Sequence, residues 1–211
     1  DTILSGAKPV YVPLNPPQFD FDRKVLERAF CENTPKAIVL CNPSNPCGKV
    51  FTREELEFIA SLCKKYDAHC ITDEVYEHIV YAPCRHTYMA SLPGMFERTI
   101  SCSSLSKTYS ITGWRLGYTI AAPQITERIK KVHDFLTVGA AAPLQEAVAC
   151  ALRFDQSYYD EVLALYTHKR DLFCKGLDEL GLVHNTPEGA YYVLMDISEF
   201  GYSSDLEFCE D

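Results

Sequence analysis

The sequence predicts an α/β fold: a mostly parallel sheet sandwiched by helices, followed by part of a small α+β domain. Three observations predict it. Ala37–Cys41 and residues 68–72 are short, largely apolar runs, the pattern of strands buried on both faces of a parallel sheet. Amphipathic helical stretches alternate with such runs. Polar clusters fall where three of the strands end, at residues 42–48, 73–76 and 103–107. Parallel strands carry all three to one sheet edge, and ligands of such folds sit beyond the carboxyl ends of the strands.

Taken in order, residues 5–8 read as a turn, 9–12 as a short strand and 13–18 as a Pro-rich loop. Residues 21–30 read as an amphipathic helix with Phe21, Val25, Leu26 and Ala29 on one face. The strand Ala37–Cys41 runs into Asn42-Pro43-Ser44-Asn45-Pro46-Cys47-Gly48, a turn-forming cluster. Thr52 and Glu55 form a capping box for a helix running to about Tyr66, with Leu56, Ile59, Ala60 and Cys63 on one face. A second buried strand, 68–72, leads into Asp73-Glu74-Val75-Tyr76, and a less regular segment runs to Glu97. Residues 98–103 form a third strand and 115–121 a fourth. Pro123 sits where a helix starts, continued by 124–136. Residues 143–154 and 158–180 are two more helices, the second ended by Gly181. Residues 189–197 read as a strand carrying the aromatic pair Tyr191-Tyr192, and the tail from Ser203 as a helix. The expected division is a large domain at 1–155, and a connecting helix with part of a small C-terminal domain at 156–211.

At 211 residues, 47% hydrophobic and 23% charged, the chain is globular and long enough for one large domain or one and a half ordinary ones. A formal charge of −9 argues against nucleic acid and against an anionic membrane surface. No apolar run approaches the roughly 18 residues of a membrane-spanning helix. None of the ten cysteines forms a C-x-x-C pair, so reduced thiols in a cytoplasmic compartment are expected, with Cys41, Cys70 and Cys150 acting as small buried hydrophobes. Trp114 reads as a core residue. The six histidines lack metal spacing and read as surface or satisfied core residues.

The polar clusters contain Lys107 among hydroxyls, with Arg115 beyond it. Singly, each residue has a plain reading: Asp73 as a helix N-cap, Asn45 as a turn residue, Tyr76 as a half-buried aromatic, Arg115 as a surface ion-pair partner. Together they match one ligand. Pyridoxal phosphate needs an amine for its aldehyde, a carboxylate for its ring nitrogen, neutral donors for its phenolic oxygen, and hydroxyls with a guanidinium for its phosphate. Lys107, Asp73, Asn45 with Tyr76, and Ser104 and Ser106 with Arg115 supply that set.

Three motifs carry a resemblance. Residues 42–48 are similar to N-P-x-N-P-T-G, Asp73-Glu74-Val75-Tyr76 to D-E-x-Y, and Ser104-Leu105-Ser106-Lys107 through Gly113-Trp114-Arg115-Leu116-Gly117 to S-x-S-K-x-x-x-x-x-G-x-R-x-G. In this order they resemble the class I (fold type I) pyridoxal-phosphate aminotransferases, in the aspartate/aromatic/kynurenine-like branch. The resemblance implies transfer of an amino group from an L-amino acid to a 2-oxo acid. It implies that Lys107 forms a Schiff base with the cofactor and moves the proton, with its pKa lowered by nearby positive charge, including Arg115. Asp73 is then the pyridinium partner, Asn45 and Tyr76 the phenolic-oxygen contacts, and Ser104, Ser106 and Arg115 the phosphate ligands. The Asn-Pro bonds are expected cis, and Tyr191 and Tyr192 near the substrate side. A homodimer is implied.

Cys47 stands where the family has threonine, with little effect expected. Family chains are longer, so a phosphate-gripping backbone loop and a ring-stacking aromatic are expected before Asp1, and an arginine for the substrate carboxylate beyond Asp211. Residues 1–211 alone are therefore expected to show weak or no transfer, and a targeting leader stays open. Two alternatives remain: a related fold-type-I lyase, performing elimination or cyclopropane formation, and a truncated non-catalytic relative.

Overall fold

The structure is a computed structural model and describes residues 2–211. Two short strands, β1 (Leu14–Asn15) and β2 (Asp20–Phe21), pair antiparallel; the strand expected at 9–12 is not formed, and β1 falls in the residues read as a Pro-rich loop. The Pro-rich loop moves the pairing downstream, since proline has no N–H to donate to a ladder. Helix α1 (Arg23–Asn33) starts at Asp22, whose carboxylate accepts from the backbone N–H of Lys24 and Val25. Strand β3 (Ala37–Cys41) follows. Then comes α2 (Arg53–Lys65), where the expected capping box between Thr52 and Glu55 is formed. Strand β4 (His69–Asp73) is followed by an irregular stretch with two 3-10 turns, then β5 (Thr99–Ser104).

A four-residue helix, α3 (Leu105–Thr108), and a further 3-10 turn lead into β6 (Gly117–Ile120). The sheet has the order β3-β4-β5-β6. The first three strands are parallel, and β6 is antiparallel to β5. A parallel return needs a crossover of a dozen or more residues, usually helical. Here the chain doubles back on its own edge, so Gly117 pairs with Ser104.

Ile38 and Leu40 of β3 pack with Leu26 and Phe30 of α1 and with Leu56, Ile59, Ala60 and Cys63 of α2 in the main core. Full burial of such aliphatic side chains contributes about 1.5–3 kcal/mol each. Val39, one position between them, points to the opposite face and is 65% exposed. Strand β3 is thus covered on one face rather than on both, and every residue of β6 is exposed. The mixed sheet is flanked by α4 (Pro123–Thr137), α5 (Ala142–Ala151) and α6 (Gln156–Glu179) in sequence, with α7 (Asp205–Glu210) at the end. Val148 and Leu144 of α5 pack on Leu105 and Leu116, while Val162, Leu163 and Tyr166 of α6 pack on Tyr76, Ile79 and Tyr81.

Residues 189–197 do not form the expected strand. Two isolated bridges, Gly189 with Val80 and Met195 with His184, are their β pairing among the described residues. An extended run becomes a strand only beside a continuous partner, and residues 189–197 have isolated contacts instead. Trp114 is 40% exposed rather than core, because it sits on the outside of the 3-10 turn. Cys150 is exposed; all ten cysteines are unbridged. His86 is buried, yet neither ring nitrogen has a hydrogen-bond partner, so it is not the satisfied core histidine expected.

Candidate active site

Register builds the site. Cys41 pairs with Asp73, and Asp73 with Cys102, so the three parallel strands end level. The polar residues that follow each strand therefore emerge on one edge. The turn beyond β3 is held internally: Ser44 N–H donates to Lys49 O at 2.8 Å, Gly48 N–H to Ser44 O at 2.8 Å, and Phe51 N–H to the Asn42 side chain at 3.0 Å. Both Asn-Pro bonds in it, Asn42-Pro43 and Asn45-Pro46, are cis, as expected. Lys49, almost wholly buried, anchors the exit of this turn by ion pairs to Asp20 at 2.5 Å and Glu55 at 3.0 Å. Asn45 is left at the exposed tip.

Beyond β4, Asp73 is exposed and its carboxylate accepts from Val75 N–H at 3.2 Å, the turn-capping geometry of an Asx residue. That leaves its second oxygen for a ligand. Tyr76 is buried, and its hydroxyl lies 2.7 Å from that of Tyr192. Burial, followed by the Tyr192 and Tyr191 contacts, holds the Tyr76 phenol well above the usual range, so it is a neutral donor. Asn45 Nδ2 donates to the same Tyr192 hydroxyl at 3.3 Å. Asn45 and Tyr76, far apart in sequence, thus meet through a residue from the far end of the chain.

Beyond β5, the Ser104 hydroxyl donates to Ser106 Oγ at 2.7 Å and lies 3.1 Å from Leu116 O, which closes the loop carrying Arg115 onto the strand end. Arg115 is exposed, at a positive φ of 55°, and its guanidinium donates to Thr112 O at 2.9 Å. Two tyrosines of α6 brace the same loop: Tyr158 donates to Thr108 O at 2.9 Å, and the hydroxyls of Tyr159 and Tyr109 lie 2.7 Å apart. Glu77 accepts from Ser103, Tyr88 and Tyr118 and so ties β5 to β6 beneath the loop.

Lys107 Nζ lies 5.7 Å from the centre of the Tyr191 ring. The expectation of a lowered amine pKa is not met. The Tyr191 hydroxyl beside it raises the pKa, outweighing a small desolvation effect. Arg115 points back to its own turn, so no guanidinium opposes the ammonium. Of the residues predicted from sequence, the structure brings Asn45 and Tyr76 together through Tyr192, and Ser104 and Ser106 into direct contact. It places Lys107 against Tyr191, and leaves Asp73 and Arg115 bonded only within their own turns. The partners missed were Tyr192, as a bonded member of the site, and Glu77. The aromatic pair stood out in the sequence, but nothing local tells where it docks.

The level sheet edge of this α/β fold carries an amine, an exposed carboxylate, a phenol–amide pair and a hydroxyl–guanidinium loop. The chain belongs to the class I and II aminotransferases: residues 1–211 match the model of that family. It is 39% identical to kynurenine--oxoglutarate transaminase 3 of Mus musculus over 94% of this chain and 47% of that protein. It is also 39% identical to the aspartate aminotransferase of Pyrococcus abyssi, over 99% of this chain and 54% of that protein. Among solved structures, N-succinyldiaminopimelate aminotransferase from Mycobacterium tuberculosis superposes with a TM-score of 0.93 at 34% identity, covering 99% of this chain and 55% of that one. The chain spans about half the length of the curated relatives it matches.

Proposed function

We propose that the protein is a pyridoxal-phosphate-dependent aminotransferase that moves an amino group from an L-amino acid to a 2-oxo acid. The observation that carries this reading is the level ending of β3, β4 and β5, which brings the candidate donors of this chain toward one edge. The set fits the cofactor part for part. Asp73 keeps a free carboxylate oxygen for a protonated ring nitrogen. Tyr76, neutral by burial, and Asn45 offer hydrogens to a phenolic oxygen. Ser104, Ser106 and the N–H groups of Arg115 not bonded to Thr112 suit a phosphate. When bound, pyridoxal phosphate supplies an aldehyde for a primary amine and a ring that draws electrons from the substrate's α-carbon.

Lys107 is the residue that attaches and then moves the proton, at Nζ. It acts as a base only when neutral, and Tyr191 opposes that, so a positive group arriving at this edge is what shifts Lys107 toward its working form. Residues 156–211 are read as a connecting helix and part of a second domain. A homodimer is supported by the apolar exposure of α4 at Val132, Phe135 and Leu136, and a cytoplasmic location by the unbridged cysteines. Among the described residues no helix is long and apolar enough to cross a membrane.

Borohydride reduction with pyridoxal phosphate, then peptide mapping, tests the reading. The cofactor is expected on Lys107, with labelling and transfer both lost in Lys107→Ala, transfer by at least about a hundredfold. Label on another lysine, or none, overturns it. An assay with aspartate or alanine and 2-oxoglutarate separates the lyase reading, since a lyase releases ammonia and leaves the oxo acid unconsumed.

A further inference from the structure

We propose that Tyr192 is a positioning residue of this site: its hydroxyl bridges Asn45 and Tyr76 and sets the direction in which Tyr76 donates its proton. The inference rests on the cofactor reading above and adds a residue that reading does not use.

Proton counting carries it. Asn45 Nδ2 can only donate, and it donates to Tyr192 Oη at 3.3 Å. The Tyr192 proton then has Tyr76 Oη 2.7 Å away, with the Tyr191 hydroxyl neighbouring both. A Tyr76 oxygen that accepts from Tyr192 has its own proton free for a third group. The reverse arrangement, with Tyr76 donating to Tyr192, puts a second donor on an oxygen that already accepts from Asn45 and uses up the proton of Tyr76. The chain Asn45 to Tyr192 to Tyr76 therefore ends in the Tyr76 proton, with cooperative strengthening along it.

Tyr192 is not a passing neighbour, because its segment is bonded to both elements it bridges. Glu188 and Gly189 N–H both donate to Gly48 O, at 2.9 and 2.8 Å, which fixes the segment to the Asn45 turn. Asn185 donates to Cys47 O at 2.6 Å, and the Glu188 carboxylate accepts from Val50 N–H at 2.9 Å. On the other side Ala190 N–H donates to Ile79 O at 2.9 Å, and the Tyr81 hydroxyl to Ala190 O at 2.6 Å, which fixes it to the stretch after Tyr76. The approach is too close for a side chain at Gly189, where a Cβ would lie 2.8 Å from Pro43 and 2.9 Å from Val50. Ala190 is fully buried at a positive φ of 58°, and this turn presents Tyr191 and Tyr192 to the edge. The Tyr192 ring also meets the Tyr76 ring edge-on at 5.8 Å, so removing the hydroxyl leaves the packing in place.

The test is the pH midpoint of the bound cofactor's visible absorbance in Tyr192→Phe, Tyr76→Phe and the double variant, with folding checked by melting. A donor to an oxygen anion lowers this midpoint, so weakening the donor raises it. Tyr192→Phe is expected to raise it by about half a unit to one unit. The double variant is expected to move no further than Tyr76→Phe alone, because Tyr192 acts through Tyr76. Tyr166→Phe, whose ring stacks on Tyr191, is expected to leave it in place. An unmoved midpoint in Tyr192→Phe beside a moved one in Tyr76→Phe overturns this inference and leaves the proposed function standing. So does an additive double variant, or an equal shift in Tyr166→Phe. A folded Tyr192→Phe that no longer loads cofactor, while Tyr76→Phe still does, also overturns it. Absence of a cofactor band in the unaltered protein overturns both.

Discussion

The Asn45 side of the sheet edge is built from within the chain, and the Lys107 side is built open. On the Asn45 side, Asn42, Ser44 and Cys47 are buried, Lys49 is locked between two carboxylates, and the main core lies behind. On the Lys107 side, Arg115 and all of β6 are exposed, and α4 has no buried residue. Yet α2 and α4 are sequence signals of the same kind, each an amphipathic helix following a strand. Helix α2 buries Leu56, Ile59, Ala60, Leu62 and Cys63. Helix α4 leaves Val132 at 59% exposure and Phe135 at 92%. The difference teaches that periodicity announces a helix with an apolar face and says nothing of what covers that face.

The comparison breaks most readily at Ile59. Ile59→Ala is expected to cost about 2–5 kcal/mol in denaturant unfolding, because the side chain is 1% exposed and its site is closed on all sides. A loss under about 1 kcal/mol would mean this side is not the packed one.

A smaller effect comes from Glu74, buried 3.8 Å from His86. Burial, aided by the charge of Glu77, pushes its carboxyl up to about 7, and burial holds His86 down at about 4. Between those values the pair is neutral. The folded state binds the Glu74 proton more tightly than the unfolded state, so Glu74 contributes stability below pH 4.5 that is lost as pH rises to about 7. His86 has the opposite sign: its low folded pKa favours the unfolded state as pH falls from 6.5 toward 4. In Glu74→Gln the first dependence disappears and the second remains. The variant's melting temperature relative to the parent is expected to climb from pH 4.5 to 7, reaching at most about 3 kcal/mol in stability. A pH-independent difference would place Glu74 in water.

The smallest effect sharpens the other half. Phe135→Ser is expected to change stability by no more than about 0.5 kcal/mol. A loss approaching that of Ile59→Ala would show that another surface covers α4 in solution.

Much of the site was legible. The candidates Asn45, Asp73, Tyr76, Ser104, Ser106 and Lys107 stand out because they lie at or after a strand end with distinct chemistries, and Arg115 because it lies on the loop before β6. The capping box at Thr52 and the strand Ala37–Cys41 were legible because they are local patterns within a few residues. Residues 189–197 were not, since extended sequence was taken for a strand and the structure uses it as a strap across the Asn45 turn. Lys107 was expected beside positive charge, and its neighbour is a phenol that no local pattern connects to it.

By itself the sequence determined the order and kind of the main helices and of the four sheet strands, the net negative charge and the donor types near each strand end, because all of these depend on neighbours close along the chain. Only the tertiary structure decided that β6 turns back antiparallel, that Val39 faces outward, and that Tyr192 joins Asn45 to Tyr76. Those depend on which distant surfaces approach within hydrogen-bond distance. That approach is set by packing, as at Gly189, where the absent side chain lets one backbone lie against another.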